Sequence, residues 1–330
     1  MNPRISVILP FCNAQSTIRE AADSILSQEF SNLELIAVAD HCTDASVQML
    51  SGISDRRLQI IENRLAPGVV GAMNTGVRVA NSEWIARMDA DDYSLPQRLS
   101  RQWELAEKFD IVSSCVELTH SLGDGMLRYV EWTNSLLTPD QISRARFIES
   151  PIINPTLLMR RSLFDEFGGY MDLEWAEDHD LWLRLLQAGY QITKVDEILV
   201  QWRDSETRLT RTDERYGDAL RMKMKAHYLA AMKNIQANGV VIAGAGPIGK
   251  SLAQDLIELG VQIHGFFEVH PRRIGEKIHG IEVAKADDIH TRWHDAILLG
   301  AVGIEGGREK LKQYAEQAGR VEGEDFWQVC

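Results

Sequence analysis

Four short apolar runs, residues 5–9, 33–38, 58–61 and 84–88, recur within the first ninety residues, and helical periodicity fills the gaps between them. Runs of this length, bounded by breakers, read as buried strands. Ile18, Ala21, Ala22, Ile25 and Leu26 form a helical face between the first two runs, and residues 71–80 form another helix before the fourth. Strands alternating with helices fold as an α/β domain with a mostly parallel sheet. The fourth run opens the segment WIARMDADDYSL and breaks off at Asp89, Asp91 and Asp92. Ligands of such sheets bind outside the carboxyl ends of the strands. An Asp-x-Asp placed there suits a hard divalent ion whose other ligands are phosphates and water. Taken alone, the same three residues are more often a solvated turn. The second run also ends on an acid, Asp40, with Asp44 four residues on, so two strands deliver carboxylates to one edge. Polar groups arriving at one edge from several strands make a nucleotide site.

The pattern continues with a helix from Pro96 to about residue 108, its inner face Leu99, Trp103 and Ala106, and a strand at 111–116. Residues 117–150, with Gly123, Gly125 and Pro139, carry no clear pattern and read as an excursion. Asn154-Pro155-Thr156 leads into a strand at 157–159, and a helix at 161–167 is stopped by Gly168 and Gly169. The segment AEDHDLWLRLLQAGY is a helix with Leu181, Leu185 and Leu186 on one face. Glu177, Asp178 and Asp180 fall in its first turn, where acids suit the helix dipole. Three acids in four residues exceed what a cap needs, so part of the cluster is expected at a site.

Several classes are disfavoured. A net charge of −13 speaks against a nucleic-acid partner, which calls for a basic footprint. No apolar run has the length of a membrane span, and the N-terminal MNPRISVILPF is not a signal peptide. Cys12, Cys42, Cys115 and Cys330 are scattered and read as reduced thiols, which places the chain in the cytoplasm or peripherally at the inner membrane face. Cys12, His41 and Cys42 match no zinc spacing.

Five pieces, in order, resemble the family 2 glycosyltransferases: VILPFCN, AVADHCTDAS, GAMNTGVRVA, WIARMDADDYSLPQRL and FGGYMDLEWAEDHDLWLRLLQAGY. The resemblance covers about two thirds of the chain. It implies a GT-A nucleotide-diphospho-sugar transferase domain over residues 1–212, dependent on Mg²⁺ or Mn²⁺, that acts on a sugar, lipid-linked or protein acceptor with inversion. Pro10, Phe11, Asn13, Asp40, Asn74 and Asp89 are the implied donor contacts, and Asp91 the implied metal ligand. Asp178 is the implied base, with Glu177 beside it. Two departures stand out: Ala39 where the acidic turn often has a second Asp, and Asn154 where the family often has His. The chemistry asks for the same groups. The leaving nucleoside diphosphate needs a cation, and the attacking hydroxyl needs a proton acceptor. The run VQWRDSETRLTRTDERY, with four arginines against four acids, is either a charge-balanced solvated segment or a loop that brings Arg203 or Arg208 to the diphosphate.

A helix over 213–236, with Ala219, Met222, Ala226, Leu229 and Met232 as its buried stripe, reads as a linker to a smaller Rossmann-like α/β domain at 237–330. There a strand at 240–243 meets GAGPIGK, so Gly244, Gly246 and Gly249 fit the dinucleotide fingerprint, and Glu268 ends the next strand where a ribose-binding acid belongs. A dinucleotide there is one reading and glycines that serve only the tight turn are the other; Arg272 and Arg273 lie close behind. Two rivals to the transferase remain: a nucleotide-sugar binding protein without turnover, and a dinucleotide-dependent oxidoreductase carried by the second domain.

Overall fold

The structure, a computed structural model, describes residues 3–120, 122–206, 208–304 and 306–330. The chain divides into two compact units. The first comprises residues 1–142, 150–173 and 177–212; the second comprises 143–149, 174–176 and 213–330. The segment 213–236, expected as a linker, therefore groups with the C-terminal unit. It is also several short helices rather than one.

The strands of the first unit are β1 (Ile5–Phe11), β2 (Leu33–Ala39), β3 (Leu58–Glu62), β4 (Trp84–Arg87), β5 (Tyr93–Ser94), β6 (Ile111–Thr119), β7 (Leu158–Arg160) and β8 (Ile192–Arg203). Its helices are α1 (Ile18–Leu26), α2 (Ser46–Ser51), α3 (Val69–Val79), α4 (Arg98–Ala106), α5 (Asp124–Ser135), α7 (Arg161–Phe167), α8 (Glu177–Gln187) and α9 (Leu209–Thr212), and α6 (Pro139–Ala145) begins in it. The sheet order is β3-β2-β1-β4-β7-β6-β8-β5. β3, β2, β1 and β4 run parallel; β7 is antiparallel to both β4 and β6, and β8 pairs parallel with β6 and antiparallel with β5. Every residue of β1, β2 and β4 is buried, as expected of central strands covered on both faces. The chain steps from β1 outward to β3 and then returns to place β4 on β1's other side. That reversal opens a crevice at the carboxyl ends of β1 and β4, and there the sequence delivers its acids.

Two stretches carry structure that the sequence pattern does not assign. Residues 117–150 are not irregular: β6 runs to Thr119, and α5 and α6 come after it. The strand β8 hides its first half behind the polar residues of ITKVDE, since Lys194 is buried and donates from Nζ to Thr133 Oγ1 (2.8 Å) and to the Thr133 carbonyl. Burial pulls that ammonium down to about 7.

The second unit contains α10 (Asp218–Ala230), α11 (Lys233–Asn238), α12 (Pro247–Glu258) and α13 (Gly307–Gln317). Its sheet, ordered β11-β12-β10-β9-β13-β14, is parallel except for β11. The strands are β9 (Val240–Ala243), β10 (Ile263–Glu268), β11 (Lys277–Ile278), β12 (Ile281–Lys285), β13 (Ile297–Gly300) and β14 (Phe326–Gln328). α10 packs on α12.

Candidate active site

β4 ends in the buried pair Arg87-Met88 and then turns through the acids. Carboxylate oxygens of Asp89, Asp91 and Asp92 lie within 4.8 Å of one another, the cluster among the described residues that could hold a metal ion. Asp89 and Asp91 are half-buried and Asp92 is buried. Asp92 Oδ1 accepts from the Arg203 backbone N–H (2.8 Å), which ties the cluster to the end of β8. Asp92 Oδ2 is buried and has no partner. Burial, then the charges of Asp89 and Asp91, push Asp92 well above the usual carboxylate range. Asp91 is raised by burial and by Asp89, and Arg208 and Arg87 oppose the rise. Three crowded oxygens, one without a protein partner, suit a hard divalent cation, which prefers oxygen ligands.

Beneath the acids lies a cation that the apolar pattern of the strand conceals. Arg87, 5 % exposed, pairs through Nη2 with Asp89 Oδ1 at 2.5 Å. Burial works against its charge; Asp89, with Tyr170 and Glu177 next, outweighs burial and holds the guanidinium above its ordinary value. The available signal is an arginine inside an otherwise apolar strand. Arg98 on α4, fully buried, braces the same strand end by donating to the Arg87 carbonyl (2.8 Å) and to Gln102 Oε1 (3.1 Å). Burial pulls it down to about 9.

The second acidic group stands at the N-terminus of α8. Glu177 is buried and Asp178 half-buried, and Asp178 Oδ1 accepts from the His179 backbone N–H (2.7 Å). The helix is held from behind. Asp180, fully buried, pairs with Arg184 at 2.8 Å, and Arg184 donates to the carbonyls of Phe167 (2.5 Å) and Gly169 (2.9 Å). Gly169 has φ +69°, and a Cβ there would stand 2.5 Å from Asn74 Oδ1. Next to it, the Tyr170 hydroxyl donates to Asn154 Oδ1 (2.8 Å). Burial raises the Tyr170 phenol, Arg87 opposes, and Asp178, Glu177 and Asp89 raise it further. Both acidic groups thus meet around Tyr170 and Arg87.

The remaining candidates divide. Asn74 spends its amide on Tyr170, accepting from its N–H (3.1 Å) and donating to its carbonyl (2.7 Å), so it fixes the turn before α8. Asn13 Oδ1 accepts from the Thr43 N–H (2.8 Å) and joins two loops. Pro10 and Phe11 are buried in the sheet, Phe11 within the core. Asp40 accepts from Asn63 Nδ2 (2.7 Å), the Gly68 N–H (2.7 Å) and His41 Nδ1 (3.0 Å). Burial would raise it; those hydrogen bonds outweigh burial and hold it below the usual range. Arg203 turns its side chain to Glu20 (2.7 Å). Arg208, stacked 4.0 Å above the Trp202 ring, is the arginine whose charge reaches both Asp91 and Asp92.

In the second unit the glycines shape the passage from β9 to α12. Gly244 has φ +113°, and a Cβ on Gly249 would stand 1.9 Å from the Gly244 carbonyl oxygen. Gly246 would leave room for one. Glu268 accepts from the N–H groups of Ala245 (3.2 Å), Val269 (2.8 Å) and His270 (3.0 Å) and from Arg273 Nη1 (3.1 Å). The carboxylate expected to hold a ribose is engaged by the protein itself.

A mixed sheet whose parallel strands β3-β2-β1-β4 gather carboxylates at their ends, faced by a second acidic pair on a helix, is the GT-A architecture of the glycosyltransferases. Residues 6–168, just under half of the chain, match "Glycosyl transferase family 2". An uncharacterized glycosyltransferase of Haemophilus influenzae is 32 % identical over 213 residues, which is 61 % of this chain and 65 % of that protein. The chain thus spans just under two thirds of that relative's length. The putative glycosyltransferase EpsE of Bacillus subtilis is 29 % identical, covering 65 % of this chain and 78 % of its own. The Escherichia coli UDP-Glc:alpha-D-GlcNAc-diphosphoundecaprenol beta-1,3-glucosyltransferase WfaP is 26 % identical, covering 56 % and 71 %. Among solved structures, S. aureus TarS 1-349 in complex with UDP-GlcNAc shares the fold with a TM-score of 0.56 at 18 % identity, covering 77 % of this chain and 71 % of that one. Among the described residues no helix is long and apolar enough to cross a membrane.

Proposed function

We propose that this chain transfers a sugar from a nucleotide-diphospho-sugar to a hydroxyl acceptor with inversion, in the building of a polysaccharide or related glycan. The observation that carries the reading is the trio Asp89, Asp91 and Asp92 at the end of β4, with an unpartnered buried oxygen on Asp92. Asp91, flanked by the other two, would hold Mg²⁺ or Mn²⁺. When bound, such an ion neutralises charge that builds on a departing diphosphate. Arg208, whose charge acts on Asp91 and Asp92, is the basic partner for a phosphate in place of Arg203, whose side chain pairs with Glu20. Asp178 takes the proton of the attacking hydroxyl, a role that contributes on the order of 10²–10⁴-fold, and Glu177 stands beside it. The relatives' printed substrates favour a UDP-hexose donor and a polyprenyl-diphosphate-linked sugar acceptor. The engaged Glu268 argues against a dinucleotide in the second unit, and so against an oxidoreductase.

The test is a panel of UDP- and GDP-sugars with Mn²⁺, read first by thermal stabilisation and then by transfer to a diphosphate-linked N-acetylglucosamine acceptor. Asp91→Asn should remove the stabilisation. Asp178→Asn should keep it and lose transfer. Full transfer in EDTA would refute the metal, and full stabilisation without transfer to any acceptor would favour a binding protein.

A further inference from the structure

Arg87 joins two groups that every catalytic reading keeps apart. Its Nη2 holds Asp89, its charge is felt by Tyr170 and Glu177 on the acceptor side, and its Nε and Nη1 are buried with no hydrogen-bond partner. A buried guanidinium with spare donors is a costly thing to keep in a strand. Its surroundings supply the reason: it pairs with Asp89, one of three carboxylates whose oxygens lie within 4.8 Å of one another, and the charge of the buried Glu177 acts on it. Without a positive charge in place, these acids would repel one another whenever no divalent ion is bound. Arg98, the next cation, is spent on main-chain carbonyls and Gln102.

We propose that Arg87 is a positioning residue: the resident counter-cation of the acidic edge, which keeps Asp89 in place between turnovers and fixes the spacing between the acids of β4 and the Glu177–Asp178 pair. The inference rests on the transferase reading only for its metal arm. Arg87 opposes a divalent cation electrostatically while it preserves the cradle that the cation enters. Removing its charge should therefore loosen the metal-free edge and sharpen the response to metal.

The experiment uses the full chain, in EDTA and in Mn²⁺, with Arg87→Met and Arg87→Lys. In EDTA, Arg87→Met should lower the melting temperature by about 10 °C, as breaking a buried ion pair does in a domain of this size. Arg87→Lys, which keeps the charge without the fork, should lose less. Mn²⁺ should restore more of the lost stability in Arg87→Met than it adds to the wild type. A second arm needs no metal: Asp89→Asn should relieve the defect of Arg87→Met, because the orphaned carboxylate is then gone. If Mn²⁺ stabilises neither protein while Asp89→Asn still rescues, the metal reading fails and the counter-cation role stands. If Arg87→Met costs the same with Asp89→Asn as without, Arg87 is only a core filler and the proposal is wrong. Should Arg87→Met not fold, the same comparison made with Arg87→Lys decides the matter.

Discussion

Asp92→Asn should make the metal-free protein more stable, not less. Asp92 sits with Asp89 and Asp91 inside 4.8 Å. At an effective dielectric near 20, two like charges at that separation repel by about 3 kcal/mol. Arg208 and the Arg203 N–H return part of this. Asparagine keeps the acceptor for Arg203, but its amide places an unsatisfied donor where Oδ2 has no partner, a cost on the order of 1 kcal/mol. The net gain is about 2 kcal/mol, or roughly 4–8 °C in melting temperature. The pH dependence is set by linkage. The native Asp92 carboxyl lies well above its unfolded value of 3.8, so the native chain holds a proton that the unfolded chain releases. Stability is therefore lost as pH rises from the ordinary carboxylate range to the native value. The advantage of Asp92→Asn over wild type should be larger at pH 8 than at pH 5. Lys194 and the histidines cancel in that difference. Scanning calorimetry in EDTA at pH 8 and pH 5 reads it directly, and Mn²⁺ should reverse the ranking. Destabilisation by Asp92→Asn in EDTA at pH 8, or an equal effect at both pH values, would refute the reasoning.

Three further outcomes are expected. Arg184→Met takes the guanidinium away from the buried Asp180 and from the Phe167 and Gly169 carbonyls; it should cost about 3–5 kcal/mol in chemical denaturation and lower transfer through the displaced start of α8. Arg208→Ala should raise the donor KM about tenfold while Arg203→Ala changes it little, since the Arg208 charge acts on both Asp91 and Asp92 whereas the Arg203 side chain is paired with Glu20; steady-state kinetics would reverse the assignment if Arg203 proved the more sensitive. Gly249→Ala drives a Cβ to 1.9 Å from the Gly244 carbonyl and should cost about 1–3 kcal/mol, read as a lower melting transition with transfer retained.

The parts of the fold written in apolar periodicity are legible in the chain. Runs such as 33–38 and 84–88 have few alternatives to a buried strand, and acids at their ends have one edge to reach. What escapes is structure held by buried polar groups. β8 is hidden because Lys194 lies inside, its ammonium capped by Thr133. Arg87 and Arg98 look like solvent-facing punctuation, although their partners are a carboxylate and main-chain carbonyls that only the tertiary fold brings near. Asn74 and Asn13 stand out as residue types, yet the geometry engages them with Tyr170 and Thr43. A short polar side chain near a site serves equally well as ligand or as brace, and sequence spacing does not distinguish the two.

Glu268 carries a consequence for how the second unit can change over evolution. Its carboxylate rests on the Ala245 N–H beside the first turn of α12, and Arg273 closes over it. The turn has in effect recruited an internal tenant where related architectures admit a visiting phosphate. Such a seat is vacated by one substitution, not built anew: shortening or neutralising Glu268 would leave the Ala245 N–H and Arg273 facing a gap shaped for an anion.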